Sequence, residues 1–178
     1  MTMTGSSLDA VAVGTRLFLD SPIFLYVFSG SSADCRALLA RCEERLVAGV
    51  TSVVVMTEVC HRLMAMEAVA KGLMPPAGAG RNLRSRPDVV RRLTDYREYL
   101  ERIPLMGVDV LPLGIGLLMR AADVRAETGL LTNDSIVVAT MRDAGVTAIA
   151  TADRDFERVD GLQVYRPTDL GSAAPALA

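Results

Sequence analysis

The sequence predicts an α/β domain organised around a central, mainly parallel sheet. Short runs that are apolar on both faces alternate with segments whose apolar residues recur at helical spacing, and Gly, Pro or Asp marks most junctions. Strands buried on both sides and separated by helices are the pattern of parallel sheets, because crossover helices cover both faces. A chain of 178 residues with 51% apolar content can bury one substantial core and is too apolar for disorder. Aromatics make up only 4%, so that core has to be built from Val, Leu, Ile, Ala and Met. No internal repeat is visible, and one domain is expected over residues 16–167.

Residues 1–15 are small and polar, without a clear period, and read as a loose extension. Arg16-Leu17-Phe18-Leu19 reads as a buried strand stopped at Asp20-Ser21-Pro22, where Pro22 suits the first turn of a helix. Over 33–48, Cys35, Leu38, Leu39, Cys42 and Leu46 share one face of an amphipathic helix ended by Gly49. Val50-Thr51-Ser52 follows as a strand, and 53–70 as a helix. Residues 71–87, broken by Pro75, Pro76 and three glycines, read as an inserted mobile loop. Val89, Leu93, Tyr96, Leu100 and Ile103 mark one helix over 88–103. A strand over 107–113, helices over 116–128 and 132–144, and a strand over 147–151 come next. A helical turn over 153–158 and a strand over 162–165 complete the domain, and 168–178 read as a frayed tail.

The net charge of −2 excludes a domain that holds nucleic acid by bulk charge alone. Lys71 is the only lysine; arginine suits bidentate phosphate contacts, but a base-composition bias explains the preference equally well. Cys35, Cys42 and Cys60 form no CxxC motif and read as reduced core thiols. With no signal-peptide pattern and no apolar run of membrane-spanning length, a cytoplasmic location away from membranes is expected.

Parallel sheets bind ligands beyond the carboxyl ends of their strands. Asp20 and Asp153 each follow such an end, although either alone could simply cap a helix. Glu58 lies one turn after Val54 and Val55, so its carboxylate shares a face with core residues. The competing reading is a weak pair with Arg62 at i+4. Asp134 opens a helix whose Val137 and Val138 follow three and four residues on, where the helix dipole alone favours an acid. If the four converge, they repel unless protonated or neutralised by cations. Oxygen donors with a single histidine, His61, in the chain suit one or two Mg²⁺ or Mn²⁺ ions. Such ions activate water and stabilise charge developing on a phosphodiester.

Asp20-Ser21-Pro22, Thr57-Glu58-Val59, Thr132-Asn133-Asp134 and Thr151-Ala152-Asp153-Arg154-Asp155-Phe156 resemble, in order and spacing, the four motifs of the PIN-domain family. The resemblance covers about residues 17–167. It implies a three-layer α/β/α sandwich in which Asp20, Glu58, Asp134 and Asp153 bind metal and position the attacking water. It also implies an auxiliary acid at Asp155 and a loop-ordering role for Thr151. Many bacterial members, the VapC-type toxins, are ribonucleases held inactive by an antitoxin and usually dimeric. The expectation is therefore a Mg²⁺- or Mn²⁺-dependent endoribonuclease, acting on RNA ahead of DNA, forming a homodimer and open to an antitoxin partner. The extension and the 71–87 insertion depart from a minimal member and bear on substrate access and partner choice.

Residues 71–102 carry eight basic and four acidic side chains, which suits either a backbone-holding surface or a solvated face. Arg154 and Arg158, beside the last motif, are candidate substrate contacts, with Thr151 a weaker one. Gly114-Ile115-Gly116 is no dinucleotide fingerprint, since Met119 stands where the third glycine is needed. The rival readings are a catalytically silent PIN-fold module that binds RNA or protein, and a phosphotransferase or phosphatase using Asp20 as nucleophile. The latter pattern wants a second Asp where Pro22 stands.

Overall fold

The computed structural model describes residues 5–170. Residues 1–4 of the expected extension and 171–178 of the expected tail lie outside the described residues. Six strands, β1 (Ser6–Ser7), β2 (Arg16–Leu19), β3 (Ala48–Ser52), β4 (Val108–Leu111), β5 (Ala148–Ala150) and β6 (Gln163–Arg166), form one sheet in the order β1-β6-β5-β2-β3-β4. Every pairing is parallel. Helices α1 (Ser21–Phe28), α2 (Ala33–Glu43), α3 (Val53–Ala70), α4 (Ala79–Asn82), α5 (Pro87–Val90), α6 (Tyr96–Leu105), α7 (Ile115–Thr128) and α8 (Thr132–Asp143) complete a three-layer α/β/α sandwich. Central β2 shows why the sheet forms as it does. Leu17, Phe18 and Leu19 are wholly buried, as are Ile149 and Ala150 on the neighbouring β5, so both faces of the middle strands are covered.

The segment 5–15 is not loose. Ser6 and Ser7 pair with Tyr165 and Arg166 of β6, and Leu8 and Val11 behind them are buried in the main core. Two serines carry no apolar signal, yet a ladder needs only their backbone groups. The expected frayed tail is likewise held at its start. Asp169 accepts from Ser32 Oγ (2.7 Å) and the backbone N–H groups of Ala33 (2.6 Å) and Asp34 (3.1 Å), so it caps α2. Asp34 in turn accepts from the N–H and hydroxyl of Thr168. The helix expected over 33–48 stops at Glu43, and Arg45 turns out of it with φ +60°. At Gly107 a Cβ would stand 2.3 Å from the carbonyl oxygen of Cys42, so only glycine lets the chain pass α2 into β4.

The insertion is not a mobile loop either. It folds into α4, a 3-10 turn (Leu83–Ser85) and α5, around a second cluster of Ala68, Met74, Leu83, Val89 and Leu93. The single helix expected over 88–103 is two, α5 and α6, separated at 91–95. The break is stabilised from outside by Glu67 of α3. Its carboxylate accepts from the backbone N–H groups of Thr94 (2.7 Å) and Tyr96 (2.9 Å) and from Lys71 Nζ (2.6 Å). It serves as the cap that Asp95 does not supply, since Asp95 makes no side-chain capping bond. Burial pushes the Glu67 carboxyl up, but Lys71 and these backbone donors outweigh it and hold the group at about 2. Its stabilisation is therefore present above the usual glutamate range and lost as pH falls through about 2. Glu67→Ala is expected to cost on the order of 1–3 kcal/mol in urea unfolding at neutral pH, because two partly buried backbone donors lose their acceptor. A loss like that of the exposed Arg97–Glu101 pair, below about 0.5 kcal/mol, would show that the break needs no such cap.

Candidate active site

From β2 the chain moves outward to β3 and β4 on one side, then returns to lay β5 and β6 on the other. The carboxyl ends of β2 and β5 therefore flank a switch point, where strand order reverses and a crevice opens. Asp20 leaves β2 there, its N–H donating to Ala150 O (3.1 Å) as the ladder ends. It is the N-cap residue of α1, with Oδ1 accepting from Ser21 N (2.8 Å). The capping and site readings of Asp20 are thus compatible. Its Oδ2 accepts from Thr151 Oγ1 (2.6 Å), and the residue is only 7% exposed.

Thr151, fully buried at the end of β5, links the acids. Its hydroxyl donates to Asp20 and accepts from Asp153 N (3.0 Å), while Asp153 Oδ1 accepts from Asp155 N (2.8 Å). A chain of hydrogen bonds thus runs from Asp20 through the last motif. Burial gives Thr151 an ordering position and leaves it no surface for substrate. Asp134, in the first turn of α8, faces Asp153 and Asp155 so that carboxylate oxygens of all three lie within 4.8 Å of one another. Asp155 is also paired with Arg158 (2.5 Å). Glu58, half-buried on the second turn of α3, lies outside this trio and pairs loosely with Arg62 (3.5 Å). Its charge nevertheless acts on both Asp20 and Asp134. Arg154 is exposed and, among the described residues, has no acidic partner. His61 is exposed and is not part of the trio.

The electrostatics reflect this crowding. Burial pushes the Asp20 carboxyl up to about 7, against the opposing hydrogen bonds of Thr151 and Ser21, and the charges of Glu58 and Asp134 add to the rise. Asp134 is pushed up to about 6, first by burial and then by Asp153, Glu58 and Asp155, with Arg158 opposing. Among the described residues nothing donates a hydrogen bond to the Asp134 carboxylate. Clustered carboxylate oxygens, with no nitrogen or sulfur donor among them, fit a hard divalent cation.

Two supporting contacts carry no clear sequence signal. Arg125 of α7 donates to Ser135 Oγ (2.9 Å), which donates to Thr132 O (2.8 Å) and braces the turn holding Asp134. Thr51, buried at the end of β3, donates to Leu19 O (2.9 Å) just before Asp20. Only its place at a strand end beside the first motif hints at the role.

A parallel α/β sandwich with carboxylates gathered at its switch point defines a class of oxygen-donor sites. A family model described as PIN domain matches residues 17–162, and the chain belongs to that family. It is similar to the ribonuclease VapC6 of Methanocaldococcus jannaschii, with 23% identity over 153 residues that span 85% of this chain and 97% of that protein. In fold it resembles VapBC2 from Rickettsia felis, solved bound to a promoter DNA fragment, with a TM-score of 0.57 and 12% identity. That match covers 85% of this chain and 98% of the other. A toxin–antitoxin complex from Klebsiella pneumoniae matches with a TM-score of 0.50 and 19% identity, covering 83% and 95% of the two chains.

The raised Asp20 has a consequence for stability. The folded chain holds this proton more tightly than the unfolded chain, where the group titrates near 3.8. That stability is complete below this value and is lost as pH rises through about 7. Without divalent ions, the melting temperature is expected to fall between about pH 5 and about pH 8. Asp20→Asn should fall less and be the more stable protein at the alkaline end, as thermal melts in EDTA would record. Equal pH slopes for the two proteins would refute the buried-charge account.

Proposed function

We propose that the chain is a VapC-type endoribonuclease that hydrolyses RNA phosphodiester bonds with one or two Mg²⁺ or Mn²⁺ ions. The observation that carries this reading is the Asp134, Asp153 and Asp155 trio, with Asp20 and Glu58 close enough to share its electrostatics. Asp20 and Asp134 are the leading candidates for direct ligands. Glu58 and Asp153 would complete the set or act through water, and Asp155 would be auxiliary. A bound ion supplies positive charge at the phosphodiester and lowers the pKa of a nearby water.

The protein's own contribution is orientation and charge balance. Thr151 fixes which oxygen of Asp20 stays turned inward, and the turn 151–155 aims Asp153 by backbone hydrogen bonds. Arg158 offsets part of the negative charge beside Asp155, and Arg154 is free to meet a phosphate. A nucleophilic role for Asp20 is disfavoured, because Pro22 stands where that pattern places a second Asp. Similarity to a ribonuclease of Methanocaldococcus jannaschii supports RNA as substrate, and likeness to the toxin–antitoxin complex from Klebsiella pneumoniae supports an antitoxin partner. A cytoplasmic homodimer completes the reading.

Purified protein is expected to cleave RNA with Mg²⁺ or Mn²⁺ and to stop on addition of EDTA; cleavage that survives chelation sinks the proposal. Asp134→Asn is expected to abolish cleavage with the fold intact by circular dichroism. Thr151→Val, which removes the hydroxyl shared by two acids, should lower Mn²⁺ affinity or activity by about 10–100-fold. Titration calorimetry showing unchanged Mn²⁺ binding, with unchanged turnover, would remove Thr151 from the site.

A further inference from the structure

The inserted cap formed by α4, the 3-10 turn, α5 and the start of the break after it (91–93) is held by its own small core, so its position on α3 is defined. It meets α3 on the turn that follows Glu58, the acid that stands to one side of the trio. A Cβ at Gly80 of α4 would stand 3.4 Å from Nε2 of His61, which follows Glu58 by three residues on α3. The cap concentrates positive charge in a chain whose net charge is −2. Arg86 is tied to Asp88, but Arg81, Arg84, Arg91 and Arg92 are all exposed and, among the described residues, have no acidic partner. The apolar residues of the cap, Leu83, Val89 and Leu93, point into its core and are not offered to a partner.

From this juxtaposition we infer that the cap is a platform for the sugar–phosphate backbone of single-stranded RNA, gripping the strand on the side of α3 that carries Glu58 through Arg81, Arg84, Arg91 and Arg92. The inference rests on the nuclease reading for its choice of polyanion. Metal ligands act on one phosphodiester and do not grip a strand, whereas arginines spread over several turns can hold successive phosphates. With no aromatic among the cap's exposed residues, bases have nothing to stack on, so recognition here is independent of sequence and dependent on salt. An acidic protein segment is the weaker candidate, since a protein partner would find charge but no apolar anchor.

The test measures binding of the full chain, in EDTA, to a 2′-O-methyl oligouridine by fluorescence anisotropy across a salt series. The substitutions Arg81→Gln, Arg84→Gln, Arg91→Gln and Arg92→Gln together are expected to weaken binding at least tenfold and to flatten the slope of log affinity against log salt by about 2–3, at about 0.7 per phosphate contact. The corresponding four lysine substitutions, which keep the charges, should retain the slope. Arg36→Gln on α2 with Arg45→Gln just after it, both also exposed, should leave it unchanged. An unaltered slope in the glutamine variant, or an equal loss per charge in the α2 control, overturns the platform. Tighter binding of poly-glutamate than of RNA overturns it in favour of an acidic protein partner. Binding lost as expected from a chain that never cleaves RNA would uphold the platform and refute the nuclease reading. Cleavage with unaltered binding would do the reverse.

Discussion

The hydroxyl of Thr151 is the contact on which the site depends. It ties the acid at the end of β2 to the acid loop at the end of β5, across 131 residues of sequence, through a hydrogen bond of 2.6 Å. Both strands owe their placement to side chains buried on two faces, so the bond is set by the middle of the sheet. The hydroxyl works in both directions at once: it donates to Asp20 and accepts from the backbone of Asp153. Serine could offer the same chemistry, but the branched Cβ of threonine restricts χ1 and suits a strand end. Around this bond, burial and neighbouring like charge make Asp20 and Asp134 reluctant to ionise.

A second tier of organisation hangs from α3. Its early turns present Glu58 toward the acids, and its last turns bring Glu67 to the start of α6. One helix thus carries two carboxylates in different surroundings. Glu67 is surrounded by donors and held ionised, while Glu58 has one loose arginine contact and lies near two acids whose protons are held tightly. The difference is made by neighbours alone, since both residues are glutamates on the same helix.

Much of the domain was legible because burial leaves a mark on composition. β2 and β5 announce themselves as apolar runs, and Asp20 and Asp153 follow them at once. What stayed hidden left no such mark. β1 is made by backbone groups of two serines, and no side-chain pattern reports them. The cap's core is scattered over Met74, Leu83, Val89 and Leu93, with prolines and glycines between, so no period survives to be read. Glu67 has the spacing of an ordinary surface pair with Lys71, and nothing local reveals that two N–H groups nearly thirty residues on need it. Among the acids, the motif order singled out the candidates but not that Asp155 joins Asp134 and Asp153 in the tight trio while Glu58 stands to one side.

The two hydrophobic clusters share one partly buried side chain, Tyr96, and otherwise meet along α3. Cooperativity between cap and sheet therefore passes through a narrow neck. A protein built this way can vary one part while sparing the other, because substitutions more than about 7–10 Å apart that share no neighbours have nearly additive effects. The residues that shape the cap are thus free to diverge among relatives at little cost to the acids, and a change at Tyr96 is the one most apt to be felt in both.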